Sequence, residues 1–194
     1  LIEVDGVDII VGSVSSGVTA GIQALALEND VIHIAAPAAA NDLTGATFNP
    51  NSFRTSRNNY QDGVALCEYF PTIYDTFVQI APDYNFGYGG AQAYRDACTL
   101  NGGEFVADDI FAPADTTDFT PYMEQILDSG ADAWLVTWAG GGFVPMLQSA
   151  TALGVTEDGL LEWQSPDLHN ERLPLDMAQI LDMSIGSTEA LPPA

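Results

Sequence analysis

Gly12-Ser13-Val14-Ser15-Ser16-Gly17-Val18-Thr19 joins an apolar run, 7–11, directly to a helical pattern. A strand that ends in small residues and turns straight into a helix leaves backbone N–H groups pointing outward at the helix start. Those donors and the helix dipole suit an anion. The spacing comes close to the phosphate-binding form GxxxxGK[ST], but Val18 stands where that form has lysine. The charge that grips a triphosphate is therefore missing, and what remains is a neutral cradle with two hydroxyls, suited to a carboxylate. A plain strand–glycine–helix turn has the same local pattern, and Ser15 and Ser16 would then only cap the helix.

Other chemistry is poorly served. Ser15 or Ser16 as a nucleophile would need His33 as its base, yet His33 sits inside a strand pattern and neither serine lies in GxSxG. No GxGxxG with a downstream ribose acid supports a nicotinamide reductase. The reading is a binder, not an enzyme, with no cofactor and no metal. His33 and His169 lack ligand neighbours at useful spacing, and the acidic stretch 115–118 lacks the EF-hand spacing and reads as a helix start. Cys67 and Cys98 lie on two different predicted helices, and one disulfide or two buried thiols are both compatible with that placement.

Composition narrows the partners. The 194 residues carry 27 acidic and 4 basic side chains, a formal net charge of -23, yet 47% are hydrophobic. A core can therefore form, and disorder does not explain the charge. All four basic residues are arginines, Arg54, Arg57, Arg95 and Arg172. A lysine-free, aspartate-rich surface repels itself at low ionic strength and is screened at molar salt, where the Debye length is about 3 Å. The expectation is a protein from a salt-loving organism. Nucleic acid finds no basic patch here, and an anionic membrane would be repelled. No run of 18 apolar residues spans a membrane, and no signal peptide is recognisable.

Periodicity predicts alternating strands and helices. Strands are expected at 7–11, 31–36, 52–55, 76–81, 104–111 and 132–138, with 7–11 and 31–36 fully buried, and further strands near 160–163 and 183–187. Helices are expected at 16–28, 60–70, 88–100, 118–129, 143–153 and 175–181, the first with an inward stripe of Val18, Ile22, Leu25 and Ala26. Such alternation argues α/β with parallel sheets. A seam near 56–59 divides two β/α units from a fuller second set. The first set has too few elements to cover a sheet on both faces. With its start at Leu1-Ile2-Glu3-Val4, the chain reads as a fragment.

Several segments together resemble the periplasmic-type substrate-binding proteins of branched-chain amino-acid ABC transporters, the leucine/isoleucine/valine-binding family. They are VDIIVGSVSSG (7–17); IAAPAAANDLTG (34–45), similar to the family's Pro-Gly-Ala-Thr-x-x-x-Leu-Thr; SFRTSRNNYQDG (52–63), its crossover between lobes; APDYNFGYGG (81–90); DTTDFTPYMEQI (115–126); SGADAWLVTWAGGG (129–142); and QSATALGV (148–155). Their order over residues 5 to 155 is more specific than any one of them.

The resemblance implies a type 1 periplasmic-binding-protein fold: two Rossmann-like lobes with parallel sheets and flanking helices, the first lobe incomplete. Residues 1–56 would be part of the N-terminal lobe, 57–188 the C-terminal lobe, and 189–194 a tail or crossover back to the first lobe. It implies a ligand between the lobes. Ser15, Ser16 and the helix start would receive a carboxylate, and Pro37, Ala38 and Ala39 would offer backbone carbonyl and N–H groups. Ala39 replaces the family's frequent threonine, which removes a polar contact. Phe86 falls where the family often has a tyrosine packed on the ligand, and Trp138, Ala139 and Gly140 end a second-lobe strand. Phe86 and Trp138 are equally suited to the core. Asp167 or Glu162 would neutralise an ammonium, and Arg54 and Arg57 would satisfy acidic neighbours at the hinge. The implied function is capture of a branched-chain or related amino acid, outside the cytoplasm or anchored at the cell surface, for delivery to the membrane permease of an ABC importer. A ligand-sensing ectodomain of the same fold is the alternative.

Overall fold

The computed structural model describes residues 1–155. Its strands form two separate sheets, parallel throughout. A short helix α1 (Ile2–Asp5) comes first, ended by Gly6 in the left-handed region at φ 63°. The first sheet has the order β1 (Ile9–Val11), β2 (Ile32–Ala35), β3 (Ser52–Arg54), and helix α2 (Ser16–Glu28) links β1 to β2. Register aligns Ile10 with His33 and His33 with Ser52. His33 is buried in this row: Nε2 lies 2.7 Å from the Gly12 carbonyl and Nδ1 3.3 Å from Ser52 Oγ. The carbonyl can only accept, so Nε2 donates, and the ring ties the end of β1 to β3.

Two expectations about this unit are corrected. The strands are not fully buried: Ile9, Val11, Ile32 and Phe53 are exposed on the sheet face that α2 does not cover. Period-2 alternation therefore sends one set of side chains under α2 and the other outward. Helix α2 also turns differently. Val18 and Leu25 point out, and Ser16, Thr19, Gln23 and Ala26 point in. Polar groups win the inner face because two loops need partners there. Thr19 Oγ1 accepts from the Ser13 N–H and donates to the Ser13 carbonyl. Gln23 Nε2 donates to the Leu43 carbonyl at 2.7 Å, and Asn49 Nδ2 donates to the Gln23 carbonyl.

The second unit is better covered. After β3 the chain runs through α3 (Asn59–Cys67), β4 (Thr76–Pro82), α4 (Asn85–Leu100), β5 (Glu104–Phe105), β6 (Ile110–Ala112), α5 (Thr120–Ser129), β7 (Ala133–Val136) and α6 (Phe143–Ala152). Strand β4 is central, with β7 on one side and β5 then β6 along the other. The single strand expected at 104–111 is broken because Asp109 turns beneath α4. Its carboxylate receives Gln79 Nε2 at 2.6 Å and pairs with Arg95, whose guanidinium also lies 4.4 Å from the Phe105 ring centroid. Alternate β4 residues face two cores. Val78 and Ile80 join Met123, Ile126, Trp134 and Met146, and Phe77 joins Cys67, Ala97, Cys98 and Leu135. Both faces of a parallel sheet are thereby buried. Strand β7 ends before Trp138, and α3, α4 and α5 start one to three residues away from the expected positions. Gly130, φ 64°, stops α5 as expected. The strands and helix expected at 160–163, 175–181 and 183–187 lie outside the described residues.

Cys67 and Cys98 form a disulfide, Cα–Cα 4.6 Å, that fastens α3 to α4 across a separation of 31 residues. Closing a loop of that size restricts the unfolded chain by roughly 3–4 kcal/mol. The Cys67→Ser/Cys98→Ser protein should therefore melt about 10 °C lower in a thermal scan; an unchanged midpoint would contradict the assignment. Among the described residues, arginines pair with only two carboxylates, Asp62 and Asp109, which leaves most of the acidic side chains described there without an arginine partner. Raising sodium chloride from about 0.1 to 2 M should lift the melting temperature by about 10 °C through screening; a midpoint that falls with salt would show that self-repulsion does not govern stability.

Candidate functional site

Ser15 is the N-cap of α2, in extended conformation, and its side chain makes no capping bond. Intrahelical bonding begins at the Thr19 N–H, which donates to the Ser15 carbonyl at 2.9 Å. The N–H groups of Ser16, Gly17 and Val18 precede that point and have no acceptor among the described residues, as is usual at a helix start. Ser15 and Gly17 are exposed, while Ser16 is 1% exposed. The Ser16 hydroxyl accepts the Ala40 N–H at 3.1 Å. That bond uses its oxygen as an acceptor and leaves its proton available for donation.

The segment 37–40 follows β2 and lies beside this turn. Pro37 is exposed, and Ala38, Ala39 and Ala40 are buried. Each of its four carbonyls already accepts one hydrogen bond from residues 54–59. Arg57 Nη1 donates to Pro37 O at 3.4 Å, Arg54 Nη1 to Ala38 O at 2.6 Å, the Asn59 N–H to Ala39 O at 2.9 Å, and Arg54 Nη2 to Ala40 O at 2.5 Å. Arg54 has the expected acidic neighbour, Asp42, but forms no ion pair with it. It serves main-chain carbonyls through its planar fork, and Arg57 is the one that meets a carboxylate, with Nε 3.3 Å from Asp62 Oδ1. Burial lowers the Arg54 pKa, opposed by nearby Asp42, and raises the Asp62 carboxyl, opposed by Arg57.

On the second unit, Phe86 and Trp138 come together. They line a cleft of about 30 Å³ with Arg57, Asn59, Asp62 and Tyr94, next to the carboxyl end of β7. That is room for about two water molecules. Burial raises the Tyr94 phenol well above its ordinary range, so it stays protonated. Trp138 is 3% exposed and stands edge-on to Phe119 at 5.1 Å, so it belongs to the core and to the cleft wall at once. Its Nε1 has no partner among the described residues. Phe86 is half-buried beside Tyr84, ring centroids 5.9 Å apart. Ala139 is half-buried and Gly140, φ 96°, exposed; neither lines the cleft. Asp167 and Glu162 lie outside the described residues.

Two residues that sequence reasoning missed link the two units around these regions. Asn41 Oδ1 accepts the Tyr60 N–H at 3.0 Å and its Nδ2 donates to Gly89 O at 3.3 Å. Asn59 Nδ2 donates to Phe86 O at 2.7 Å. The glycine-rich start of α4 was the available signal. A Cβ at Gly89 would lie 3.3 Å from Asn59 Nδ2, and one at Gly90 would lie 2.5 Å from the Thr137 side chain. The first contact would be tight, and the second requires the missing side chain.

Comparison with known proteins places this geometry in context. A family model described as "Periplasmic binding protein" matches residues 1–171. The chain belongs to the periplasmic binding protein family. It is 29% identical over 139 residues to a Leu/Ile/Val-binding protein homologue of Brucella melitensis, a match covering 71% of this chain and 36% of that protein. Among solved structures, a solute-binding protein of an R. palustris ABC transporter, in complex with 4-hydroxybenzoate, superposes with a TM-score of 0.75. It is 25% identical, over 82% of this chain and 43% of that one. A branched-chain amino-acid transporter protein from Rhodopseudomonas palustris gives a TM-score of 0.60 at 31% identity, over 82% and 43%. The chain thus spans less than half the length of these relatives. Such partial coverage accords with the fragment expected from the sequence, and the two parallel sheets with flanking helices accord with the expected α/β architecture.

Replacing Arg54 with methionine would leave the Ala38 and Ala40 carbonyls without their donors. The loss should cost about 2–4 kcal/mol in denaturant unfolding, and Arg54→Lys, which has no fork, should recover only part of it. A methionine variant of undiminished stability would show that the carbonyls find other partners.

Proposed function

We propose that the intact protein is an extracytoplasmic solute-binding component of an ABC importer that captures a small organic carboxylate. Residues 1–56 would act within one lobe and 57–188 within the other, with 189–194 as a tail or a return to the first. The observation that carries this reading is the pair of half-sites at the carboxyl ends of two parallel sheets, where α/β units place their ligands. One offers unclaimed helix-start amides and the Ser16 hydroxyl. The other offers the Phe86 and Trp138 rings.

Branched-chain amino acids and benzoates share a carboxylate and an apolar body. A solved relative is titled as a branched-chain amino-acid transporter protein, and others hold 4-hydroxybenzoate or benzoate. The amide cradle suits the first feature and the rings suit the second. Closure of the two lobes over such a ligand would be stabilised by contacts made only when both are present. The Cys67–Cys98 disulfide supports an oxidising compartment, and no helix of the described residues is long and apolar enough to cross a membrane. Both nitrogens of His33 lie against internal partners, which supports a binder over a serine hydrolase.

Calorimetric titration of the full-length protein in molar salt, with L-leucine and with 4-hydroxybenzoate, tests the reading. Ser16→Ala should weaken binding of the preferred compound about tenfold while the protein stays folded. Undiminished affinity would remove Ser16 from the carboxylate site, and failure of the wild type to bind either compound or related carboxylates would remove the function.

A further inference from the structure

Asn59 stands between the two half-sites and donates a hydrogen bond to each side, one from its side chain and one from its backbone. The Phe86 carbonyl, on the cleft, accepts Asn59 Nδ2 at 2.7 Å. The Asn59 N–H donates to Ala39 O at 2.9 Å. The same peptide unit, through the Ala40 N–H, donates to Ser16 Oγ at 3.1 Å. Asn59 is 3% exposed, and Ser16, Ala39 and Ala40 are buried with it, so water does not compete for these groups. The Ala39–Ala40 peptide accepts from Asn59 and donates to Ser16, so those two bonds strengthen one another, while the Asn59 side chain ties the position of that donor to Phe86. Asn59 is also the first residue of α3, held by the Asn58–Gln61 capping box, and so has a fixed base from which to act.

We infer that Asn59 is a positioning residue that couples the two half-sites, so that placement of α4 around Phe86 sets the orientation of the Ser16 hydroxyl. The inference rests on the proposed capture of a carboxylate by Ser16 against Phe86. Asn41 provides an internal control. Its side chain also spans the two units, through Gly89 and the Tyr60 N–H next to Asn59, but makes no hydrogen bond to the Ala39–Ala40 peptide, to Ser16 or to Phe86.

The test is a double-mutant cycle on ligand affinity in the full-length protein, with L-leucine and 4-hydroxybenzoate as probes. Ser16→Ala and Phe86→Ala should each weaken binding. Their combined loss should depart from the product of the single losses by about fivefold or more. In an Asn59→Ala background the departure should fall to within about twofold, and in an Asn41→Ala background it should persist. Persistence with Asn59→Ala, or its disappearance in both backgrounds, would overturn the coupling role. Single variants that leave affinity unchanged would instead overturn the site reading on which it rests.

A measurement without ligand and without Asn59→Ala guards against misfolding or a poor choice of probe. In ligand-free protein, Ser16→Ala alone should shift the amide resonances of Asn59 and Gly90 and leave that of Gly130, at the far end of α5, in place. Resonances at Asn59 and Gly90 that do not move would overturn the inference.

Discussion

The four carbonyls of residues 37–40 depend on one short stretch, 54–59. A segment of three consecutive alanines after a proline has no side chains with which to hold its own shape. Its backbone polar groups are mostly buried, and each unmet carbonyl would cost free energy comparable to a lost hydrogen bond. Two guanidinium groups and one backbone N–H meet that need. The arginines are therefore spent on architecture. In a chain with only four basic residues, that use shows where the fold needs cationic donors most.

This constraint explains the character of the neighbouring turn. With the segment held, the Ala40 N–H reaches Ser16 and leaves the hydroxyl proton free, next to the open amides of the α2 start. Polar residues on the inner face of α2 belong to the same scheme. Thr19 shapes the loop before the helix and Gln23 holds the loop after β2. A helix that must satisfy two loops cannot also turn its apolar stripe inward. The cost is an outward Val18 and Leu25 and a sheet face left bare on Ile9, Val11, Ile32 and Phe53.

The second unit follows more ordinary rules. Its central strand is buried along its length, its helices cover both faces, and a disulfide joins the two helices on one side. It serves as a rigid platform for Phe86 and Trp138. Glycine at 89 leaves room for the Asn41 and Asn59 side chains, and glycine at 90 lets α4 pack against Thr137.

Much of this was legible in the order of the residues. The run from 7 to 19 announced a strand, a turn of small residues and a helix start, because periodicity and glycine placement are local properties. The alternation of elements announced α/β architecture, and seven segments in the right order announced the family. Local pattern could not say which side of α2 faces in, since that depends on distant loops that lack partners. Nor could it reveal that residues 54–59 hold residues 37–40, that Asp109 breaks a strand to meet Arg95 and Gln79, or that Cys67 meets Cys98. Each of these is a contact between residues far apart in the chain, and burial, not sequence neighbourhood, sets its energy. The sequence alone determined the periods, the turns and the charge; the tertiary structure decided which buried polar groups had to find one another, because only packing removes the water that would otherwise satisfy them.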